Sequence, residues 1–252
     1  MTALEPAQLT GRTHTHVREL EGLSCALHPR AAEAFLQLRA AAAREGHQLQ
    51  PVSAFRDFER QLAIWNAKFL GQRPLLDRDG RPLEAARMSA PQIVHAILQW
   101  SALPGASRHH WGTDVDVIDR AALAPDQPLR LTAEGFAPGG PFAPLARWLA
   151  HAAEGYGFYW PYDRDRGGVQ PEPWHLSYAP VAVEALEGLT LEVLAEALRP
   201  GPVPARAAGA LEGAAVVLRE LDTLYVRYVR AVAHPSAAAL AARAVSLPAR
   251  SS

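Results

Sequence analysis

The segment between Ser107 and Asp116 places the strongest constraint on how this chain can fold. Successive side chains of a regular strand point to opposite faces, so His109 and Asp116, seven residues apart, would diverge on an unbroken strand. They can converge only if the chain breaks between them, and Gly112, which most easily takes a positive φ, lies there. The sequence Asp-Val-Asp-Val-Ile that starts at Asp114 alternates polar and apolar residues and predicts a strand.

A second short segment, from Glu172 to His175, carries the other residues that can act in chemistry. Pro171 precedes it and Pro173 interrupts it, so an extended or turned backbone is expected rather than a helix. The two segments together supply two histidines and a carboxylate able to bind a metal, with another carboxylate three residues before the last histidine. Because a catalytic zinc site needs three protein ligands, an open position for water and a nearby base, this pattern indicates metal-assisted hydrolysis.

Three motifs resemble those of a known family. S-x-H-x-x-G-x-x-x-D over residues 107–116, followed by E-x-W-H over residues 172–175, is similar to the motif pair of the D-alanyl-D-alanine metallopeptidases. These include VanY-like carboxypeptidases and VanX-like dipeptidases, and they share a zinc-site fold with lysostaphin-type peptidases and the hedgehog amino-terminal domain. Residues 53–61 resemble the family's S-x-x-R-x-x-x-x-Q stretch. The three motifs come in the family's order, which is far more specific than one motif alone.

The resemblance implies a metal centre and a catalytic base. It implies one Zn²⁺ ion bound by His109, Asp116 and His175, with Glu172 as the base. It also implies that Arg56 faces the scissile carbonyl of the substrate.

Substrate binding is assigned to four further residues. The resemblance suggests that Ser107 helps to hold the substrate, and Gln61 closes the third motif. Asp114 departs from the family pattern, which often has a small residue there, so it could support the metal ligands or reach a substrate amine. Trp174 adjoins the last ligand, where packing as a wall of the site is favoured over stacking on a ligand.

Two polar residues near the ligands compete for the same roles. His110 adjoins His109 and would point the other way in extended chain, which favours a supporting role over metal binding. Asp119 could replace Asp116 as a ligand, but its spacing from His109 does not match the family motif, and an exposed position is expected.

Composition limits the possible partners and compartments. The chain has 252 residues, a formal net charge of −1 and a single cysteine. The charge gives no indication of a nucleic-acid partner, and one cysteine excludes an internal disulfide. The start of the chain lacks the pattern of a secretory leader, and no stretch predicts a transmembrane segment. The expected partner is a peptidoglycan peptide or muropeptide, so the cell envelope and the cytoplasm both stay open, as does the oligomeric state.

The periodicity of apolar residues predicts an α+β fold, with a small antiparallel sheet that carries the zinc site and flanking helices. We expect a metallopeptidase domain over residues 1–185, a helical extension over 186–235 and a tail over 236–252 with little to bury. Residues 71–88 are expected to form a polar loop that covers the site. Helices are predicted over residues 29–45, 57–70, 89–100, 144–154, 181–198, with a break at Gly188, and 211–233.

The function expected from these features is that of a zinc D,D- or L,D-carboxypeptidase of peptidoglycan stem peptides. One alternative is a wall-binding or signalling module without catalysis, as hedgehog shows is possible on this fold. Glu172 and Arg56 together argue against that alternative. The other is a non-haem iron oxygenase with a two-His-one-carboxylate triad, which would have no use for an acidic residue beside the last histidine.

Overall fold

The computed structural model describes residues 3–124, 128–199 and 209–242. The strands found there are β1 (Arg18–Leu20), β2 (Cys25–Leu27), β3 (Leu49–Ser53), β4 (Leu75–Leu76), β5 (Pro82–Leu83), β6 (Asp114–Asp119), β7 (Phe158–Tyr159) and β8 (His175–Tyr178). The α-helices are α1 (Pro6–Leu9), α2 (Pro29–Arg44), α3 (Phe58–Phe69), α4 (Ala90–Leu98), α5 (Ala133–Phe136), α6 (Ala143–Ala152), α7 (Ala179–Gly188), α8 (Leu191–Ala197), α9 (Ala214–Arg219), α10 (Leu221–Leu224) and α11 (Ala237–Ala241).

A four-stranded antiparallel sheet carries the two metal-binding segments. Its strand order is β3-β6-β8-β7, and β6 and β8 lie side by side in its middle. Their register pairs Asp116 with His175 and Asp114 with Ser177. Because side chains alternate along a strand, these polar residues share one face of the sheet, while Val115 packs on the other. The α+β class and the small antiparallel sheet are confirmed.

The apolar face of the sheet packs against α2 and α6. Helix α2 begins with Pro29 in its first turn, and His28 caps it by accepting a hydrogen bond from the backbone N–H of Arg30 at 3.3 Å. Its inner face buries Phe35 and Leu38, which the sequence placed on one side of a helix. They join one cluster with these residues of the sheet and of α6: Val115, Val117, Leu145, Leu149, Phe158 and Leu176.

The C-terminal elements differ from the single helix predicted over residues 211–233. The structure has two short helices, α9 and α10, followed by a π-helical turn over Tyr225–Arg230. Glu220, between the two helices, leaves the helical region at φ −105° and ψ 10°. The apolar residues on which that prediction rests are nevertheless buried in one cluster with residues of α3 and α4: Val217, Leu221, Leu224, Tyr228 and Val232. The domain boundary at residue 185 stays a prediction.

Residues 236–242 are more ordered than the sequence predicts. Helix α11 lies there, and Ser236 caps it by accepting a hydrogen bond from the N–H of Ala239. Ala239 is fully buried, in a cluster with Tyr159 and Ala179. A methyl group is enough to fill this contact, which explains why apolar periodicity gave no signal. The other predicted tail residues, 243–252, lie outside the described residues.

The segment over residues 71–88 is not a plain loop. It contains the antiparallel pair β4 and β5 and a short 3₁₀ turn, and Leu75 is buried in the core. Nε1 of Trp100 donates a hydrogen bond to the carbonyl of Asp77 at 2.9 Å, which ties the hairpin to the end of α4. The hairpin is therefore held by buried Leu75 and by this bond at its turn, and its covering of the site stays a prediction. Within the described part of the chain, no helix is long and apolar enough to cross a membrane.

Candidate metal centre

Three side chains converge where β6 and β8 pair. His109 lies on the 3₁₀ turn Arg108–Trp111, while Asp116 and His175 are paired across the two strands. One ligand atom from each lies within 4.8 Å of the others, and all three residues are buried. Gly112 makes the predicted break, with φ +67° at the end of the 3₁₀ turn. A Cβ atom there would lie 2.4 Å from a methyl of Val17, so glycine is required for close approach as well as for its φ.

Hydrogen bonds fix the free nitrogen of each histidine. Nδ1 of His109 lies 2.8 Å from the carbonyl oxygen of Ala54, so this nitrogen carries the proton and Nε2 is left free. Nε2 in turn lies 3.5 Å from Oδ2 of Asp116. His175 has the opposite arrangement, with Nε2 bonded to Asp114 at 2.9 Å and Nδ1 3.1 Å from Oδ1 of Asp116. Both free nitrogens therefore face the same carboxylate.

The electrostatics of the group suit a cation. Burial, together with the charge of Arg56, lowers the pKa of His109 to about 3, so its ring is neutral. Burial opposes ionisation of Asp116, but His109, His175 and Arg56 lower its pKa below the ordinary value. Among the described residues, the buried Oδ1 of Asp116 has no donor in hydrogen-bonding geometry. The three carboxylates around His175, those of Asp114, Asp116 and Glu172, raise the pKa of its ring well above the ordinary value, so a cation would take the place of its second proton. Imidazole nitrogens and an ionised carboxylate with a free oxygen are ligands that zinc prefers, so the residues fit that ion.

Glu172 and Arg56 lie beside this group. Oε2 of Glu172 is 3.2 Å from Nδ1 of His175, and burial raises the pKa of this carboxyl although His175 opposes the shift. Arg56 follows β3, and its N–H donates to the carbonyl of His109 at 3.3 Å. Burial lowers the pKa of Arg56, while Asp116 and Glu172 act against that. The Nε of Arg56 is buried without a hydrogen-bond partner among the described residues, which leaves it available to a ligand.

Lys68, near the end of α3, is a candidate site residue that no motif predicted. Burial lowers the pKa of its ammonium to about 8, and the charge of Glu172 partly opposes this. Lys68 forms no ion pair within the described residues. It lies seven residues after Gln61, hence on the same side of α3. The available signal was compositional, since Lys68 is the single lysine in a chain rich in arginine.

The four residues predicted to bind substrate are buried in the walls around the centre. Gln61 is 0% exposed and donates its amide to the carbonyl of Ala102 at 2.7 Å. Ser107 is 1% exposed, and Trp174 packs with its ring centroid 5.9 Å from that of Phe136. Asp114 is 0% exposed and bonded on both oxygens, so it has no open lone pair for a substrate amine. Substrate contact by these residues stays a prediction.

His110 supports the site from outside the metal group, as expected from its position. Its Nε2 accepts a hydrogen bond from the N–H of Gly105 at 3.1 Å, so the proton is on Nδ1, which donates to the carbonyl of Arg56 at 2.6 Å. Burial lowers the pKa of His110 to about 3. Asp119, expected to be exposed, is instead buried and bonded to Nδ1 of His47 at 2.8 Å, at the far end of β6. Neither residue belongs to the metal group.

The chain is similar to several known proteins. The family model VanY, described as D-alanyl-D-alanine carboxypeptidase, matches residues 24–181. An uncharacterised protein of Haemophilus influenzae is 43% identical over 103 residues, which are 40% of this chain and 70% of that protein. A structure of VanYB in complex with D-alanine-D-alanine is 22% identical, with a TM-score of 0.49, over 72% of this chain and 88% of that one.

A third relative is the LD-carboxypeptidase LdcB, whose structure is 24% identical with a TM-score of 0.45. It covers 71% of this chain and 72% of its own. The family-model match includes all three motifs and more than half of the chain. The chain therefore belongs to the VanY family of D-alanyl-D-alanine carboxypeptidases.

Proposed function

We propose that this protein is a zinc-dependent carboxypeptidase that removes the terminal residue of peptidoglycan stem peptides, with D,D or L,D specificity. One observation carries the proposal: the ligand atoms of His109, Asp116 and His175 lie within 4.8 Å of one another, with a carboxylate oxygen of Glu172 3.2 Å from His175. Such a set supplies three ligands and a base in one buried place. Membership of a peptidase family supports the same conclusion.

The three ligands would hold the metal through Nε2 of His109, a carboxylate oxygen of Asp116 and Nδ1 of His175. A zinc ion in such a site acts as a Lewis acid that polarises a carbonyl and lowers the pKa of water from about 15.7 to about 7. The other steps of the reaction depend on side chains of the protein. They must accept and return a proton, stabilise developing charge and orient the peptide.

Glu172 is the group placed to move the proton. Its carboxyl is buried, and burial raises its pKa, which makes its ionised form a better proton acceptor than an exposed glutamate. It would accept the proton of the attacking water and then donate it to the leaving amine. Its backbone is fixed on both sides, because its N–H donates to the carbonyl of Tyr162 and its carbonyl accepts from the N–H of His175, each at 3.0 Å.

Arg56 is placed to stabilise the oxyanion of the tetrahedral intermediate. Its guanidinium stays charged despite burial, because arginine titrates far above neutral pH. A donor that is aimed in advance at the developing charge contributes without reorganising during the reaction. The backbone carbonyl of Arg56 accepts a hydrogen bond from His110, and its backbone N–H donates to the carbonyl of His109. These two bonds fix the backbone of Arg56 to the 3₁₀ turn that carries His109. Ser107 and Lys68 are the groups we assign to the free carboxylate of the peptide.

The two alternative functions fit the site less well. A wall-binding or signalling module needs neither a buried base nor an unpaired arginine beside the ligands. A non-haem iron oxygenase with a two-His-one-carboxylate triad has no use for the additional buried carboxylate of Glu172, 3.2 Å from a ligand nitrogen. Both alternatives predict that stem peptides are not hydrolysed.

The test combines elemental analysis with mass spectrometry. Purified protein should contain one zinc per chain and should shorten soluble tetrapeptide or pentapeptide stems by one residue. Treatment with a chelator should abolish the cleavage, and added Zn²⁺ should restore it. Zinc without cleavage would support the binding module, and iron with no need for zinc would support the oxygenase.

A further inference from the structure

Arg108 and Asp114 form a buried ion pair beside His175. Nε of Arg108 lies 2.8 Å from Oδ1 of Asp114, and the two side chains are 3% and 0% exposed. Removing both charges from water is costly, so a buried ion pair is weak evidence for a stabilising role on its own.

The carboxylate of Asp114 is fully occupied by protein donors. Oδ1 accepts from Nε of Arg108 and lies 2.9 Å from Nε2 of His175. Oδ2 accepts from the hydroxyl of Ser177 at 3.1 Å and from that of Thr113. With two donors on each oxygen, the carboxylate is fixed in orientation. Asp114 is therefore placed to hold the ring of His175 in a fixed orientation.

Arg108 is held just as firmly. Nη2 donates to the hydroxyl of Ser177 at 2.6 Å and to that of Tyr159 at 3.0 Å, and the guanidinium lies 4.7 Å from the centre of the Trp111 ring. These partners come from β7, β8 and the 3₁₀ turn that carries His109. The ion pair thus ties the strand of one ligand to the turn of another.

The bond to Asp114 determines which nitrogen of His175 is free. A carboxylate acceptor at Nε2 keeps a proton on that nitrogen, so Nδ1 is the nitrogen that can give its lone pair to a metal. Nδ1 then faces Asp116 at 3.1 Å and Glu172 at 3.2 Å. Histidine ligands of metals commonly donate their other N–H to a carboxylate, which fixes the ring and increases its basicity.

We propose that Arg108 and Asp114 act as positioning residues, which hold His175 in the ring orientation and tautomer that present Nδ1 to the metal. Arg108 keeps Asp114 in place, and Asp114 in turn fixes His175. Both side chains are buried and bonded to protein groups, so this role needs no contact with the substrate. This inference rests on the proposed metal centre. It predicts that substitutions at Arg108 or Asp114 lower activity only because they weaken zinc binding.

The test measures zinc affinity by competition with a chelator of known affinity. Asp114→Ala alone would leave Arg108 buried and unpaired, so the main variant combines Asp114→Ala with Arg108→Met. Its zinc affinity should fall about 10- to 100-fold, as is usual when the hydrogen-bond partner of a ligand is removed. Asp114→Asn keeps an acceptor for Nε2 and should retain part of the affinity. Ser177→Ala is the control, because it removes one of the four donors to this carboxylate and leaves the bond between Asp114 and His175 in place.

A spectroscopic measurement separates positioning from general loss of structure. In the zinc-loaded wild type, ¹H–¹⁵N spectra should show a protonated, hydrogen-bonded Nε2 on His175, and this signal should disappear in the double variant. Equal zinc affinity in wild type and double variant would overturn the inference while leaving the metal centre intact. An equal loss in Ser177→Ala would also overturn it. A wild-type chain that binds no zinc would overturn the proposed function and this inference with it.

Discussion

At the scale of single residues, a substitution of Glu172 tests proton transfer separately from metal binding. It is buried beside His175 but is not one of the three converging ligands. Glu172→Gln keeps the size and shape of the side chain and removes its ability to take a proton. We expect unchanged zinc content and a turnover number lower by about 10²-fold or more, measured by peptide release. A variant with turnover near that of the wild type would contradict the role of base.

His175 and His110 form a matched pair for testing which histidine binds the metal. Both rings are buried, but only His175 faces the metal group, whereas His110 bonds Gly105 and Arg56. His175→Ala should remove zinc and activity together. His110→Ala should keep zinc, as judged by elemental analysis, and should lower the free energy of unfolding by about 1–3 kcal/mol because it leaves a buried N–H without a partner. Zinc retained at full stoichiometry in His175→Ala would contradict the ligand set.

Lys68 should show a conflict between stability and function. Its ammonium is largely buried without an ion pair among the described residues, and its pKa is lowered to about 8. Lys68→Met removes the buried charge, so the free energy of unfolding at pH 7 should rise by about 1–2 kcal/mol, after allowance for partial solvent screening. KM for stem peptides should rise as the cation near Glu172 is lost. Denaturant unfolding and steady-state kinetics measure the two effects, and an unchanged KM would contradict a role in substrate binding.

At the scale of elements, the sequence predicts what local chemistry determines. Gly112 indicated the break before β6, and the alternation from Asp114 indicated the strand itself. The single helix over 211–233 was not confirmed, because Glu220 and the π-helical turn interrupt a pattern whose apolar residues are buried as predicted. The spacing of apolar residues therefore predicts which side chains are buried. It does not predict a backbone irregularity within the helical segment.

The site shows a similar division between what was predicted and what was not. The resemblance to the family's motifs implied that His109, Asp116 and His175 converge, and the structure places them together. The hydrogen bonds of Asp114 join residues from β6, β8 and the 3₁₀ turn, so no local pattern contains them. Lys68 belongs to the same class, because its approach to Glu172 depends on how α3 packs against the rest of the chain.

Helix α11 gives a test at this scale. Ala239 is fully buried against Tyr159 and Ala179, whereas Ala241 on the same helix is exposed. Ala239→Leu should overpack this contact and lower the free energy of unfolding by about 1–3 kcal/mol, measured in denaturant. Ala241→Leu is the control and should change it by less than about 0.5 kcal/mol. Equal effects of the two variants would show that α11 does not pack as described.

At the scale of the whole molecule, the metal centre lies where two parts of the core meet. The apolar face of the sheet packs on α2 and α6, while Trp111 and Tyr162 join the larger cluster that includes α3, α4 and the C-terminal helices. The ring of Tyr162 is 5.0 Å from that of His175. The metal ligands are therefore packed between the sheet and the helices of the larger cluster. This packing explains how short strands can support a buried polar group.

This arrangement also bears on where the protein cuts its substrate. A carboxypeptidase must recognise a free terminal carboxylate close to the metal, and we propose Arg56, Ser107 and Lys68 as donors to it. Amidation of the peptide terminus removes the charge and with it a charge-assisted hydrogen bond. Transition-state binding should weaken by about 1.5–3 kcal/mol, which is roughly a 10- to 150-fold lower kcat/KM. Paired assays of free-acid and amidated tetrapeptides and pentapeptides measure this directly, with a cross-linked dimer as the third substrate. Equal cleavage of both forms, or faster cleavage of the dimer, would instead indicate an endopeptidase whose groove stays open beyond the metal.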